Sequence, residues 1–184
     1  MERLRSSLKR AEQRLTERKK ELLDELDVEF AATVIAIGIP GVERAAIDRT
    51  SYLPLLNGKI YTKFSPPGGI RTATQIAYWL TLMTIALRRR DTVYPAFLLI
   101  DSPRTSLNDS DELVAALYRR IVTQVDAAQD RLQMIIADNE LPGVYRRDYK
   151  QLEFDYENPT ISTVTHPGPA AVEPLSLSAV DDTE

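Results

Sequence analysis

PAFLLIDSPRTSLNDSDELVAALYRRIVTQVDAAQDRLQMIIAD, residues 95–138, is the stretch that decides the fold. It begins with a continuous apolar run, 95–101, and ends with a second segment typical of a buried strand, 133–138, and each of the two closes on an aspartate. Runs of this length without polar alternation are typical of strands that are buried on both faces of a parallel sheet. The stretch therefore predicts a strand–helix–strand unit within an α/β domain.

The segment between the two runs predicts a helix, with its N-cap at Asn108 or Ser110 and its end near Ala128. A right-handed crossover would place Asp101 and Asp138 along one edge of the sheet. Ligands of open α/β sheets bind at that edge. A carboxylate there suits Mg²⁺, which takes one or two protein carboxylates together with phosphate and water.

A second informative stretch, KFSPPGGIRTAT, lies at residues 63–74. It brings Ser65, Gly68 and Gly69 to the start of a predicted buried helix that begins at Thr72. A serine hydroxyl and glycine N–H groups before a helix are donors for an anion, and the helix dipole favours negative charge there. The alternative interpretation is an ordinary loop of turn-forming residues.

Residues 1–37 form the first segment of the chain, which we interpret as a long helix ending before Gly38. Its apolar residues follow a 4-3-4 heptad spacing, and Arg18 interrupts the seam. Two interpretations remain open: a surface helix on its own domain, or the last turns of a coiled coil whose partner helix lies outside this chain. The seam consists of Leu4, Leu8, Ala11, Leu15 and Leu22.

Short β-type runs fill residues 43–64, and the dipeptide Asn57-Gly58 separates the last two. Asn-Gly supports the positive φ values of a tight hairpin turn. The region therefore predicts a small antiparallel meander. Residues 150–165 resemble a further hairpin.

Composition limits the class of protein. The 184 residues are 43% hydrophobic and 27% charged with a net charge of −4, which predicts one soluble domain without chain-wide attraction to nucleic acid. The absence of cysteine and the single histidine, His166, argue against thiolate or histidine metal centres. No apolar run of about 18 residues and no signal peptide is present, which predicts a cytoplasmic protein without membrane contact.

Taken in order, these pieces resemble the C-terminal half of an ABC-type ATPase head of the SMC-like family. KFSPPGGIRTATQIA is similar to the signature motif, FLLIDSPRTSLND to the Walker B strand and D-loop, and QMIIADNELP to the switch strand. The resemblance covers about residues 1–165. It implies a coiled-coil helix over 1–37, the C-terminal lobe of the ATPase head over 38–165, and a disordered tail over 166–184.

The resemblance assigns roles to particular residues. Ser65, Gly68 and Gly69 would contact the γ-phosphate of ATP held by the opposite head of a dimer. Asp101 would orient Mg²⁺, directly or through water. Asn108 would lie in the D-loop and cross the dimer interface.

Three positions depart from the family pattern. Pro66-Pro67 lengthens the spacing between the serine and the glycines. Ser102 stands where most such ATPases place the glutamate that activates water, and a serine has too high a pKa to act as an unaided base. Asp138, with Asn139 beside it, occupies the switch position that is often histidine. We therefore expect hydrolysis to be slow, to depend on water positioned by Asp138 and Asn139, or to be absent.

The phosphate-loop pattern G-x-x-x-x-G-K-S/T does not occur in the sequence. We expect a Walker A-containing N-terminal half or a separate subunit to supply it, in a homo- or heterodimer of heads. The expected activity is ATP hydrolysis by that assembly, coupled to the coiled coil, with DNA as a possible substrate by family analogy. The alternatives are a non-catalytic coiled-coil interaction module and, less specifically, a phosphate-binding regulator built on residues 65–69.

Overall fold

The computed structural model describes residues 2–62, 68–90, 96–107, 111–140, 142–145 and 149–155. The chain separates into two compact units, Met1–Pro142 and Gly143–Glu184. The predicted mixed α/β class is confirmed. In chain order the elements are α1 (Glu2–Ile37), β1 (Ala45–Ile47), β2 (Pro54–Leu56), β3 (Lys59–Ile60), α2 (Gly68–Arg89), β4 (Phe97–Asp101), α3 (Pro103–Ser106), α4 (Asp111–Ala128), β5 (Gln133–Ala137) and a 3₁₀ turn (Gly143–Tyr145).

Helix α1 has two parts that differ in their surroundings. Residues 3–20, which we call the arm, are exposed throughout. The second part packs into the first unit through residues spaced three or four apart, as expected for a helix that buries one stripe. The helix ends where Gly38 takes a φ of 71° and donates its N–H to the Val34 carbonyl at 3.0 Å. The buried stripe comprises Leu23, Leu26, Phe30, Thr33, Val34 and Ile37.

The predicted meander is confirmed, with β1, β2 and β3 pairing antiparallel in that order. At its turn Asn57 and Gly58 have φ values of 49° and 79°, the left-handed conformation that an Asn-Gly turn requires. The Asn57 side chain also fixes the preceding loop. Its Oδ1 accepts the N–H groups of Glu43 and Arg44, and its amide donates to the Gly41 carbonyl.

Helix α2 is largely buried, as its sequence predicts, but it begins four residues earlier than expected. Gly68 and Gly69 therefore lie inside its first turn instead of preceding it. Most of its circumference contacts α1, β2, α3 or α4. Trp79 is the exception among its large apolar residues, with 38% of its surface exposed.

Strands β4 and β5 pair in parallel, with Asp101 opposite Ala137, and α4 lies between them in the chain. The predicted strand–helix–strand unit is thus confirmed, and both strands finish at one edge. The expectation that these strands are buried on both faces is wrong. Their inner residues pack toward α2 and α4, where Met83, Ala128 and Leu132 form a cluster. The outer face is exposed, including Phe97 at 45%, Leu99 at 59% and Ile135 at 45%.

The physical reason is the small number of strands. Both faces of a parallel sheet are normally covered by crossover helices, and a two-stranded sheet has one such helix. The sequence carries the apolar pattern of a doubly covered sheet, but the described residues cover one face only.

Residues 149–155 contain no strand, so the first strand of the hairpin predicted over 150–165 is not formed there. The remainder of that hairpin and the tail at 166–184 lie outside the described residues. No helix within the described ranges is both long and apolar enough to cross a membrane.

A charge network centred on Glu29 fastens α1 to two other helices. Its carboxylate accepts hydrogen bonds from Arg88 of α2 at 2.7 Å and from Arg120 of α4 at 2.9 Å. Arg120 also donates to the Thr33 hydroxyl at 3.0 Å, and Arg88 to Glu25 at 3.1 Å. The bonds to Glu29 and Glu25 raise the pKa of Arg88, with the Glu29 bond as the largest cause. Glu29 keeps only 14% of its side chain exposed, so its charge depends on these partners.

We expect Glu29→Gln to lower the free energy of unfolding by about 2 kcal/mol, because two arginines lose their shared anion in a largely buried setting. Glu25→Gln is the matched control, since Glu25 lies one turn earlier with 27% exposure and pairs at longer distances. Its cost should stay below about 1 kcal/mol. Urea denaturation measures both. An equal cost for the two variants would contradict the central role of Glu29.

Candidate functional site

Asp101 is the last residue of β4 and is exposed at the edge where both parallel strands end. The following residue, Ser102, donates its N–H to the Ala137 carbonyl at 2.7 Å and adopts a left-handed conformation with φ 47° and ψ 48°. That turn brings the Ser102 hydroxyl to Asp101 Oδ1, to which it donates at 2.9 Å. Ser102 therefore orients the carboxylate. Its own hydroxyl is a donor here, which does not suit a general base.

Asp138 follows β5 and accepts three hydrogen bonds. The Tyr118 hydroxyl of α4 and the Arg104 N–H of α3 donate to its Oδ2 at 2.7 and 3.1 Å. The Asn139 N–H donates to its Oδ1 at 2.9 Å. We call this arrangement the Asp138 clamp, because it joins α3 and α4 to the end of β5. To position a water molecule as predicted, the Asp138 carboxylate would have to share the oxygens that already accept these three hydrogen bonds.

Tyr118 is buried to 1% exposure, and burial together with its bond to Asp138 raises the pKa of its hydroxyl. It therefore remains a proton donor across the physiological range. The Arg104 guanidinium, within 3.4 Å of both Asp111 and Glu140, adds two weaker pairs around the clamp. Asn139 is exposed, and its backbone is the part that joins the clamp.

Gly69 has a packing reason to be glycine. A Cβ at this position would lie 2.8 Å from the carbonyl oxygen of Leu107, which is closer than carbon and oxygen can approach. The start of α2 therefore packs against the backbone that follows α3. This contact explains one of the two adjacent glycines without a ligand, and it brings the first turn of α2 next to Leu107.

A groove of about 550 Å³ runs between α2 and β4. Asp101 lies at one end of β4 and shares the groove with Thr72, in the second turn of α2. The structure thus brings the acid of the first strand near the helix that begins with Gly68 and Gly69. The groove is lined by Thr72, Gln75, Ile76 and Trp79 of α2 and by residues 97–101 of β4.

Not every predicted site residue can be placed. Ser65 and Asn108 lie outside the described residues. Gly68 is the first residue of α2, so its N–H is among the four at a helix start that have no partner within the helix. As predicted, Asp101 and Asp138 lie at the same edge of the sheet, Asp101 as the last residue of β4 and Asp138 directly after β5, but Asp138 is engaged in its clamp.

The residues present fit a metal held partly by another molecule. Within the described ranges, no group of three or more acidic, histidine or cysteine residues could hold a metal ion. A single exposed carboxylate at a strand end suits Mg²⁺ that is bound mainly by phosphate and water. Asp101 has these properties, so it can contribute one ligand or orient one water.

Sequence reasoning missed Tyr118, Arg104 and the exposure of Trp79. A signal existed for Tyr118, since a tyrosine on the buried stripe of a helix needs a partner for its hydroxyl. Arg104 contributes through its backbone N–H, which carries no residue-specific signal. The exposure of Trp79 depends on a groove between elements far apart in the chain, which no local pattern reveals.

We expect Gly69→Ala to lower the free energy of unfolding by about 1–3 kcal/mol, because the new methyl group meets the Leu107 backbone and forces α2 to shift. Arg71→Ala, at an exposed position in the same helix, should change it by less than about 0.5 kcal/mol. Thermal and urea unfolding give both values. A Gly69→Ala protein as stable as the wild type would show that this close contact does not form.

We expect Asp138→Ala to cost about 2–3 kcal/mol, because three donors lose one acceptor, and Tyr118→Phe to cost about 1 kcal/mol. The double variant should fall short of the sum by about 1 kcal/mol, since the two changes remove the same bond. Additive costs would contradict the clamp.

The same tyrosine gives a pH test. Its pKa is raised above 10.0 in the folded state, so the stability it contributes is complete below pH 10 and is lost as the pH rises above it. The wild type should therefore lose stability more steeply above pH 10 than Tyr118→Phe does.

Comparison with known proteins assigns no family to this chain. No protein-family model matches it, and a search of curated proteins gives no significant match.

Proposed function

We propose that the chain acts as the C-terminal lobe of an SMC-like ATP-binding head. In this role it contributes signature-like and Walker B-like residues to a nucleotide site that another polypeptide segment completes. The observation that carries the proposal is the incomplete parallel sheet, in which Asp101 ends β4 and Asp138 follows β5 at the same edge while one apolar face stays uncovered.

The uncovered sheet supports a second lobe as partner. Within the described ranges β5 is the one strand that pairs with β4, so the outer edge of β4 offers unpaired backbone groups to the groove. Unpaired strand edges and exposed apolar faces are costly for a protein that stays alone. A lobe that adds strands beside this pair would continue the parallel sheet, and a helix of that lobe on the outer face would bury Phe97, Leu99 and Ile135.

The sheet edge supports a nucleotide as the ligand. Asp101 is available for Mg²⁺ or its water, and the N–H groups in the first turn of α2 favour a phosphate. When bound, Mg²⁺ would neutralise phosphate charge during transfer to water. The 184 residues contain no phosphate-loop pattern, so the β-phosphate would be held by the second lobe.

A second candidate is a non-catalytic interaction module with the same outline. The Asp138 clamp favours it, because the residue at the switch position already satisfies three donors within its own lobe. Ser102 likewise directs its hydroxyl to Asp101. In this candidate the sheet still docks a partner, but ATP turnover is absent.

Trp79 gives a direct test of lobe docking, because it is the single tryptophan and lines the groove. The partner to add is a polypeptide from the same or an adjacent reading frame with G-x-x-x-x-G-K-S/T followed by a heptad helix. We expect its addition to shift Trp79 emission to shorter wavelength and to slow amide exchange in β4 at least about tenfold.

Leu99→Lys should block this docking, because it places a charge on the sheet face to be covered. Ile35→Lys is the matched control, since Ile35 is 74% exposed on α1, away from the sheet. Unchanged fluorescence and exchange with the wild type, or the absence of any such reading frame, would overturn the proposal.

Turnover separates the two candidates. In the assembled complex, Asp101→Asn should lower Mg²⁺-dependent ATP hydrolysis by about 100-fold or more, whereas Asp111→Asn, at a 92% exposed side chain, should leave it within about twofold. Docking without any ATP hydrolysis by the wild-type complex would select the interaction module instead.

A further inference from the structure

The arm, residues 3–20 of α1, concentrates positive charge on an acidic protein. It holds eight of the 23 basic residues and two of the 27 acidic ones, so it carries +6 while the rest of the chain carries −10. All of its residues are exposed, and at 1.5 Å per residue it is roughly 27 Å long. Burial begins only at Leu23, beyond the end of the arm.

The same arm exposes an apolar seam. Leu4, Leu8 and Leu15 are exposed to 74%, 61% and 69%, and they share a narrow stripe with Ala11. Isolated exposed leucines need no explanation, but leucines in heptad spacing along one line form a surface that a second helix can fill. Because the stripe is two residues wide, it is too narrow for the broad apolar face by which helices enter a lipid surface.

The residues that flank the seam set the charge that a partner must carry. In the heptad that aligns the leucines, Arg5, Arg14 and Lys19 occupy flanking positions, with Glu12 as the acidic member among them. Burying the seam against a basic helix would bring like charges together along its length. An acidic helix would instead place opposite charges at these positions.

From this combination we propose that the arm binds an acidic amphipathic α-helix in a short coiled coil, with the partner's glutamates or aspartates facing Arg5, Arg14 and Lys19. This assignment extends the proposed function: it takes up the coiled-coil interpretation of residues 1–37 and adds the charge of the partner helix to it. DNA would be attracted by the same net charge, but a phosphate backbone leaves the leucine seam unused.

The test uses the full chain and two labelled 24-residue peptides with the same leucine seam, one flanked by glutamate and one by lysine. Fluorescence anisotropy at low salt should show the glutamate peptide binding at least about tenfold more tightly. The lysine peptide binds more weakly because several of its lysines would face basic residues of the arm. The difference should shrink at about 1 M salt, where screening removes the charge term. Equal binding of the two peptides would overturn the proposal.

Variants locate the surface. Arg5→Glu with Arg14→Glu should reverse the preference, and Leu8→Asp with Leu15→Asp should abolish binding of both peptides. Arg3→Glu with Lys9→Glu makes the same charge change away from the seam and should preserve the preference for glutamate. Unfolding curves should remain at wild-type values, since the arm lies outside the packed core.

Competing ligands complete the design. A 24-base-pair DNA duplex and anionic lipid vesicles are added under the same conditions. If either binds the arm while the glutamate peptide does not, the proposal is wrong. Because docking at the groove is read by Trp79, failure at the arm and failure of the second-lobe proposal give different results.

Discussion

A parallel pair of strands has two faces and two edges, and a single crossover helix cannot cover them all. This constraint governs the arrangement of the whole first unit. Helices α2 and α4 pack on the inner face of β4 and β5, where Met83 and Ala128 meet. The outer face and the outer edge of β4 are left to solvent, with Leu99 exposed to 59%. The groove beside β4 and the exposed Asp101 are consequences of the same incomplete sheet.

Two polar arrangements, the Asp138 clamp and the Glu29 network, hold the helices and strands around the groove in their relative positions. The Asp138 clamp ties the end of β5 to α3 and α4, and thereby fixes the turn that follows Asp101. The Glu29 network ties α1 to α2 and α4 through arginines. A displacement of α2 at its glycine end would therefore be opposed at its arginine end, where it is bonded to the helix that bears the arm.

Local rules were sufficient for most elements. Asn57-Gly58 specified the hairpin because both residues tolerate positive φ, and Gly38 ended α1 for the same reason. The apolar runs ending at Asp101 and Asp138 specified two parallel strands that finish at one edge. The predicted start of α2 was less accurate. Two adjacent glycines are typical of a loop, whereas the observed helix includes both Gly68 and Gly69. The roles of Ser65 and Asn108 stay predictions, as does any ATP chemistry.

What the sequence by itself determined is the order and type of α1, the three-stranded meander, α2, β4, α4 and β5, together with the heptad seam of the arm and its excess of basic residues, since each depends on residues close together in the chain. Tertiary structure alone decided that Asp138 accepts the Tyr118 hydroxyl, that Gly69 meets the Leu107 carbonyl, and that the outer sheet face lacks a cover. These three features depend on contacts between distant segments. An apolar strand has the same sequence whether its second face is covered by its own chain or by another, so periodicity cannot distinguish the two cases.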